Sequence, residues 1–105
     1  MEFNMSKTEK IIKNTFENGS VRDAVIFLTT CVHNAFPEFN FRGIEVLRLV
    51  TGKKIIEGRS WNHDFIVRLT ENEGAQVWEV TCHRVSHGET ADKVALLNAT
   101  TLEHI

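Results

Sequence analysis

The side chains that could do chemistry in this 105-residue chain stand in two pairs of adjacent residues. His63 precedes Asp64 as in an acid–base pair, and Cys82 precedes His83 as in a nucleophile and its base. Both pairs lie in segments where apolar and polar residues alternate, which predicts strands, and neighbours on a strand point to opposite faces. Neither pair is therefore expected to work as a catalytic dyad. We interpret the chain as a binding protein and not as an enzyme.

The sequence does not favour a metal or phosphate site. His83 and His87 have the four-residue spacing of metal ligands on a helix. On a strand, four residues span roughly 13 Å, which is too far for one zinc ion. Gly52 and Gly58 stand alone, without the glycine-rich pattern of a phosphate-binding loop. We therefore expect no metal and no cofactor.

Composition and charge narrow the classes of partner. The 12 basic and 14 acidic side chains nearly cancel to a net charge of −2, so a nucleic-acid surface is not expected. Apolar runs are far shorter than the roughly 20 residues that cross a membrane, so a membrane is not expected either. Cys31 and Cys82 are too few for a disulfide framework. We expect two reduced thiols in a cytoplasmic protein.

A helix is predicted between Ser20 and Phe36. Ser20 is a suitable N-cap with Asp23 three residues later, and Pro37 cannot continue the helix. Apolar residues recur between them at helical spacing, and these are Val21, Ala24, Val25, Leu28, Cys31, Val32 and Ala35. Before this helix, residues 1–19 are interpreted as a loose arm or a short helix.

After Pro37 the apolar period changes from 3.6 to 2, which predicts strands. The segments are RGIEVLRLV, with Ile44, Val46 and Val50 in register, WNHDFIVRL, with Trp61, His63, Phe65, Val67 and Leu69 on one face, and QVWEVTCHRV, with Trp78, Val80 and Cys82 on one face. The polar TENEG between the last two predicts a hairpin. KVALLNATTLEHI is a fourth strand or a terminal helix, and its β-branched residues favour the strand.

These elements predict one α+β domain over residues 1–105, in which one helix packs across a four-stranded antiparallel sheet. The segment KKIIEG, residues 53–58, has two interpretations. At a loop tip, Ile55 and Ile56 would be an exposed contact surface and Gly58 would allow an unusual backbone. In a continuous strand, Ile56 would lie in the core and the turn would fall at Thr51 and Gly52.

Over residues 20–88 the chain resembles the cystatin family. VRDAVIFLTTCVHNAF is similar to the family's helix, and IEVLRLVTGKKIIEG is similar to its long strand with the loop motif Gln-x-Val-x-Gly. HDFIVRL and WEVTCHRVSHGE are similar to the following strands and the second loop, where many members have Pro-Trp. The resemblance implies a reversible inhibitor of papain-like cysteine peptidases, as a monomer or a domain-swapped homodimer.

The resemblance also implies which residues contact the peptidase. In the first loop Lys54 stands at the glutamine position, Ile56 at the valine and Gly58 at the glycine, and in the second loop Ser86 and His87 replace Pro-Trp. Because three of these positions depart from the motif, inhibition is expected to be weak. The full set of expected partner-binding residues is Lys54, Ile55, Ile56, Glu57, Gly58, Ser86 and His87.

Two other functions stay open from the sequence. A cystatin-like scaffold can bind a partner that is not a protease. A curved sheet with Trp61, Phe65 and Trp78 on one face can instead form a small-molecule or isomerase-like cone of the nuclear transport factor 2 type.

Overall fold

The computed structural model describes residues 6–85 and 91–105. In these ranges two helices precede five strands: α1 (Lys7–Glu17), α2 (Val21–Ala35), β1 (Ile44–Val50), β2 (Ile55–Ser60), β3 (Phe65–Asn72), β4 (Val77–Arg84) and β5 (Ala91–Asn98). Each strand pairs antiparallel with its neighbours in sequence, in the order β1-β2-β3-β4-β5. Helix α2 lies across one face of the sheet and contacts all five strands. The α+β class is confirmed.

The predicted central helix is confirmed at both ends. The Ser20 side chain accepts a hydrogen bond from the Asp23 backbone N–H at 3.2 Å, and the helix ends before Pro37. Its buried face consists of Ala24, Phe27, Leu28, Cys31, Val32 and Ala35. Val21 is exposed, contrary to the prediction, and Phe27 takes a core position instead. The run of apolar residues from 24 to 28 fits more than one helical face, so spacing alone did not choose between them.

A second helix corrects the one-helix architecture. Ser6 and Glu9 form a reciprocal capping box at the start of α1, which explains why this polar segment becomes helical rather than a loose arm. Near its end, Phe16 is buried and stacks on Trp78, with ring centroids 5.7 Å apart. Phe16 also contacts Phe27 edge-on, and Ile11 and Ile12 pack against the core, so the helix is held by one apolar face.

The sheet has five strands where four were predicted. Residues 55–60 form β2, which pairs with β1 on one side and β3 on the other. The next four residues form a turn, so β3 begins only at Phe65. The hairpin between β3 and β4 is confirmed, and so is the strand interpretation of the last segment over Ala91–Asn98.

A bulge in β1 changes which residues face the helices. The pairing with β2 shifts between Val46 and Arg48, leaving Leu47 as an exposed extra residue. Beyond it Leu49 pairs with Ile56, which is fully buried in the core between helices and sheet. Val50 is thereby turned to the opposite face, so the predicted register of that residue is wrong.

In the described part of the chain, no helix is long and apolar enough to span a bilayer. Both cysteines are buried and carry free thiols. Cys31 lies on α2 and Cys82 on β4, so each fills space in the core as a small apolar side chain.

Candidate interaction surface

The expected loop tip is a strand in the middle of the fold. Ile55 is 8% exposed and Ile56 is 0% exposed, and both belong to β2. The turn lies at residues 51–54, ahead of them. The continuous-strand interpretation is confirmed for residues 55–58, with Ile56 in the core, whereas Lys53 and Lys54 belong to the turn. The exposed wedge of Ile55 and Ile56 is wrong. A β-branched pair is better suited to a buried strand than to a turn.

The other expected first-loop residues, Lys54, Glu57 and Gly58, make packing or ionic contacts within the fold. Gly58 lies against Leu28 of α2, where a side chain would not fit. Glu57 accepts a hydrogen bond from Arg48 at 2.9 Å on the open face of the sheet. Lys54 ends the turn in a left-handed conformation, with φ of 52°, and its Nζ lies 3.5 Å from a carboxylate oxygen of Glu71.

The structure does not describe the residues expected to bind a partner in the second loop. Ser86 and His87 lie outside the described residues. Their role in binding a partner stays a prediction.

The three aromatic residues of the cone hypothesis are not brought together. Trp78 is 1% exposed and packs between Phe16 and Phe27, with its ring centroid 5.0 Å from that of Phe27. Phe65 belongs to a separate aromatic group formed with residues of the segment that follows α2. Trp61 is 67% exposed, so the expectation that it faces the core is wrong. The described residues therefore give no pocket lined by all three aromatic side chains.

Trp61 instead forms a fixed aromatic surface at one end of the sheet. Its backbone N–H donates a hydrogen bond to the carbonyl of Gly43 at 2.9 Å, and its indole lies so close to Gly43 that a Cβ there would collide with it. The chain neighbours of these residues are Asn62 and Arg42. We call Trp61, Gly43, Arg42 and Asn62 the Trp61 surface.

A network of hydrogen bonds holds the turn that carries Trp61. The buried Ser60 hydroxyl donates to Asn62 Oδ1 at 2.6 Å and accepts from the Phe65 backbone N–H at 3.0 Å. Asn62 Oδ1 also accepts from the Asp64 backbone N–H at 3.1 Å. The Ser60–Phe65 bond closes the turn between β2 and β3, and the two bonds to Asn62 lie within it. Together they hold the backbone of the turn that carries Trp61.

A cavity of about 490 Å³ opens next to this surface. It is lined by residues of the 38–42 segment, by residues of the 62–65 turn and by Arg84. Phe65 and Phe39 supply an apolar wall, with ring centroids 4.9 Å apart. Because Arg42 and Asn62 line the cavity and also flank Trp61, the cavity and the aromatic surface are continuous.

The residues that line the cavity include a charged pair, Asp64 and Arg84. Arg84 Nε lies 3.5 Å from Asp64 Oδ2, and the guanidinium lies 5.5 Å from the centroid of the Phe65 ring. Within the described ranges, three buried side-chain polar atoms lack a hydrogen-bond partner, namely Asp64 Oδ1, Arg84 Nε and Trp78 Nε1. Two of them belong to residues that line this cavity. Both atoms are themselves buried, and Arg84 Nε has the Asp64 carboxylate as its ion-pair partner.

At the rim of the same cavity, Glu38 is held by local contacts. A hydrogen bond to its own backbone lowers the pKa of Glu38, and Lys93 lowers it further from 3.4 Å away. The Lys93 ammonium also lies 4.8 Å from the centroid of the Phe39 ring. Glu38 is therefore an ionised group with a cation already beside it.

Of the two adjacent pairs considered for catalysis, His63 and Asp64 lie in the turn before β3 and not in the predicted strand. Cys82 and His83 lie on β4 and point to opposite faces, as predicted. Cys82 faces the core, where burial raises its pKa to about 11. His83 faces the open side of the sheet, and its Nδ1 lies 2.6 Å from Asp92. A protonated, buried thiol cannot serve as a nucleophile at neutral pH. Among the residues placed by the structure, no cluster of three or more His, Cys, Asp or Glu side chains is arranged to hold a metal ion.

The sequence has turn-forming residues around Trp61, but their spacing is also that of a strand. Ser60, Asn62 and Asp64 are turn-forming residues that stand at every second position around Trp61. Their polar side chains alternate with the residues between them, so the turn has the pattern of a strand.

No family model, no curated protein and no solved structure matches the chain.

Proposed function

We propose that the chain is a protein-binding module and that it contacts its partner through the Trp61 surface. The observation that carries this proposal is the 67% exposure of an aromatic side chain fixed against the backbone of Gly43. Tryptophan is enriched among the residues that dominate binding free energy, because its large apolar ring is buried when a partner covers it. An exposed tryptophan with this support is the strongest contact candidate among the described residues.

The rigidity of the surface supports the same conclusion. A contact residue that is already ordered loses little conformational entropy on binding. The backbone of Trp61 is held by its hydrogen bond to Gly43 and by the turn network of Ser60 and Asn62, and its indole rests on Gly43. The exposed Val94 on β5 is an aliphatic side chain without comparable support and serves as a reference position.

Inhibition of papain-like peptidases is the specific form of binding that the cystatin resemblance implies. On this fold it cannot depend on Ile56, which is buried, and it has to use accessible groups such as the partly exposed Lys54 and the exposed Trp61. We propose that papain is inhibited weakly, in the micromolar range, and that a cytoplasmic partner of another kind binds more tightly. Titration of papain with the purified protein tests this directly.

The test of the main proposal is selection of binders followed by comparison of variants. A displayed library of random peptides is selected on the immobilised protein, and the recovered peptides are then measured against wild type, Trp61→Ala and Val94→Ala. We expect Trp61→Ala to weaken binding about tenfold or more, as for an interface residue of this type. Val94→Ala should bind like wild type.

Two outcomes would contradict the proposal. One is a set of peptides that bind wild type and Trp61→Ala equally well, and the other is a selection that recovers no binder. Thermal unfolding of both variants provides the control for folding, because each substitution removes an exposed side chain.

A further inference from the structure

We infer that the outer edge of β5 binds an extended segment of a partner protein, which adds to the sheet as a further strand. We call Asp92, Lys93, Val94 and Ala95 the β5 edge. This site shares no residue with the Trp61 surface, and it uses backbone groups where that surface uses a side chain. It is carried by the backbone N–H and C=O groups of Asp92 and Val94, which point away from the sheet.

The hydrogen bonds of the C-terminal tail show which backbone groups of β5 point outward. Asn98 N–H donates to the carbonyl of Glu103 at 2.8 Å, and Ile105 N–H donates to the carbonyl of Leu96 at 2.9 Å. On an antiparallel strand, successive residues direct their backbone groups to opposite sides. The even-numbered residues of β5 therefore point away from β4.

Asp92 and Val94 continue this pattern beyond the tail. Within residues 6–85 and 91–105, the backbone N–H and C=O groups of these two residues have no hydrogen-bond partner. Both residues are exposed, and so is Lys93 between them. The β5 edge therefore offers two donors and two acceptors in a regular row, which is what an added strand requires.

The tail also shows that this edge accepts a strand. Leu97 and His104 form an antiparallel bridge between the two tail hydrogen bonds, so a short segment is already paired on the outer side of β5. The described tail pairs only with residues 96–98. The four residues of the β5 edge lie next in line and span roughly 13 Å, and main-chain hydrogen bonds over such a length supply affinity in strand addition.

The other edge of the sheet is less suited to a partner strand. In β1 the pairing shifts between Val46 and Arg48, and Leu47 is left as an extra residue. A bulge of this kind twists an edge strand and discourages pairing. The strand β5, in contrast, pairs with β4 in unbroken register from Ala91 to Asn98. The regular edge is therefore the one at β5.

A groove beside the β5 edge can receive a side chain of the partner. Its volume is about 440 Å³, and it lies between the end of α2, the β5 edge and His104. Lys93 borders it, with its Nζ 3.4 Å from Glu38 and 4.8 Å from the centroid of the Phe39 ring. Residues directly opposite each other on paired strands share one face of the sheet. The partner residue opposite Lys93 therefore directs its side chain to the groove.

A second copy of the chain fits the β5 edge less well than a foreign segment. Because outward-pointing residues must meet each other, two identical strands related by a two-fold axis pair with one residue opposite itself. Within the β5 edge, a register centred on Asp92 or Lys93 places like charges opposite each other, which is destabilising. A register centred further along places the second copy opposite Leu96, whose carbonyl already accepts from Ile105.

The first experiment uses the capped pentapeptide Thr-Val-Thr-Lys-Thr and two methylated forms of it. In antiparallel pairing its valine lies opposite Val94 and its lysine opposite Asp92, so these two peptide residues direct their N–H groups to β5. N-methylation of the valine and the lysine removes both donors. N-methylation of the third and fifth residues leaves both donors in place and is the matched control.

Titration of the ¹⁵N-labelled protein measures binding of the three peptides. We expect the parent peptide to shift the amide resonances of Asp92 and Val94. Loss of two hydrogen bonds should weaken the peptide methylated at valine and lysine about tenfold relative to the control peptide. Equal binding of the two methylated peptides would overturn the inference, and so would a parent peptide that leaves the Asp92 and Val94 resonances unchanged.

The second experiment removes one donor from the protein. Val94→Pro deletes an outward N–H, and proline is tolerated on an edge strand where the N–H faces solvent. We expect it to weaken the parent peptide about fivefold, whereas Val94→Ala keeps the N–H and should bind like wild type. Thermal unfolding shows whether each variant is folded, and the methylated peptides decide the question on the wild type alone. A folded Val94→Pro protein that binds the peptide like wild type would contradict the inference.

The occupant of the edge is distinguished by light scattering of the protein without peptide. A dimer that Val94→Pro abolishes and Val94→Ala preserves would assign the β5 edge to a second copy and overturn the inference. Trp61→Ala should bind the pentapeptide like wild type, because the two surfaces use different residues.

Discussion

Gly58 of β2 lies directly against Leu28 of α2. A Cβ built on Gly58 would come 2.5 Å from Leu28 Cδ2 and 2.8 Å from the backbone oxygen of Glu45. Both distances are far below a normal van der Waals contact, so the helix can approach the sheet this closely only because the residue is glycine. The glycine that matches a loop motif in sequence is therefore a packing residue in this fold.

The contact predicts a coupled effect of two substitutions. Gly58→Ala should lower the free energy of unfolding by about 1–3 kcal/mol through overpacking. Leu28→Ala should lower it by about 2–5 kcal/mol through the cavity that it leaves. In the double variant the new methyl group partly fills that cavity, so the combined loss should be smaller than the sum.

Chemical denaturation of the three variants measures this coupling. Gly52→Ala is the matched control, because a Cβ there would meet no atom within 4 Å. Its effect should stay within about 0.5 kcal/mol. Strictly additive losses in the Gly58 and Leu28 variants would show that the two residues do not share the proposed contact.

At Gly43, by contrast, a substitution should change the surface of the protein more than its stability. An added Cβ there would collide with the Trp61 indole and displace it toward solvent, because that side chain is exposed. Gly43→Ala should therefore cost about 1 kcal/mol or less in stability, yet displace the ring that we propose as the contact residue. The indole N–H resonance of Trp61 should shift, while that of the buried Trp78 should not. An unchanged Trp61 resonance would mean that the ring does not rest on Gly43.

The sequence predicts those elements whose ends or faces are marked by particular residue types, and it leaves the others undecided. The helix from Val21 to Ala35 was predictable because Ser20 and Pro37 mark its ends. The strand β2 was only one of two interpretations of its segment, because Gly58 and Ser60 take buried positions that an apolar side chain usually marks, so IIEGRS lacks the apolar alternation that identifies a strand. For the candidate site, no periodic pattern places Trp61 on Gly43. That contact exists only once β1 and β2 pair in their observed register.

The buried thiols predict a loss of stability at alkaline pH. Burial raises the pKa of Cys82 from 9.0 to about 11, and it raises the pKa of Cys31 as well. Because the folded pKa lies above the unfolded value, the stabilising effect is complete below pH 9 and is lost as pH rises through 11. The free energy of unfolding should therefore fall over this range.

The Cys31→Ala/Cys82→Ala double variant separates this effect from other titrations. The chain contains no tyrosine, so lysine is the principal remaining side chain that titrates there. The double variant should lose less stability than wild type between pH 9 and 11, whatever its stability at pH 7. Parallel curves for the two proteins would show that the thiols do not cause the fall.

The last prediction concerns exchange of strands between two copies of the chain. Lys54 ends the β1–β2 turn with φ of 52°, a conformation that costs a residue with a Cβ roughly 1–2 kcal/mol. If the turn opened, β1 and β2 would form one continuous strand and Lys54 would leave this conformation. Strain in the closed turn therefore favours a domain-swapped dimer, which has few other costs because it reuses the contacts of the monomer.

Lys54→Gly removes the strain from the closed form and should lower the dimer fraction roughly tenfold at equal protein concentration. The matched control is Lys53→Gly, which makes the same exchange one position earlier, outside the left-handed region. Loss of the partly exposed Lys54–Glu71 ion pair has only a small effect of its own. Size-exclusion chromatography with light scattering after mild heating measures the fractions. Equal dimer fractions in the two variants would exclude Lys54 strain as the cause, and a wild type that stays monomeric at every concentration would exclude the exchange itself.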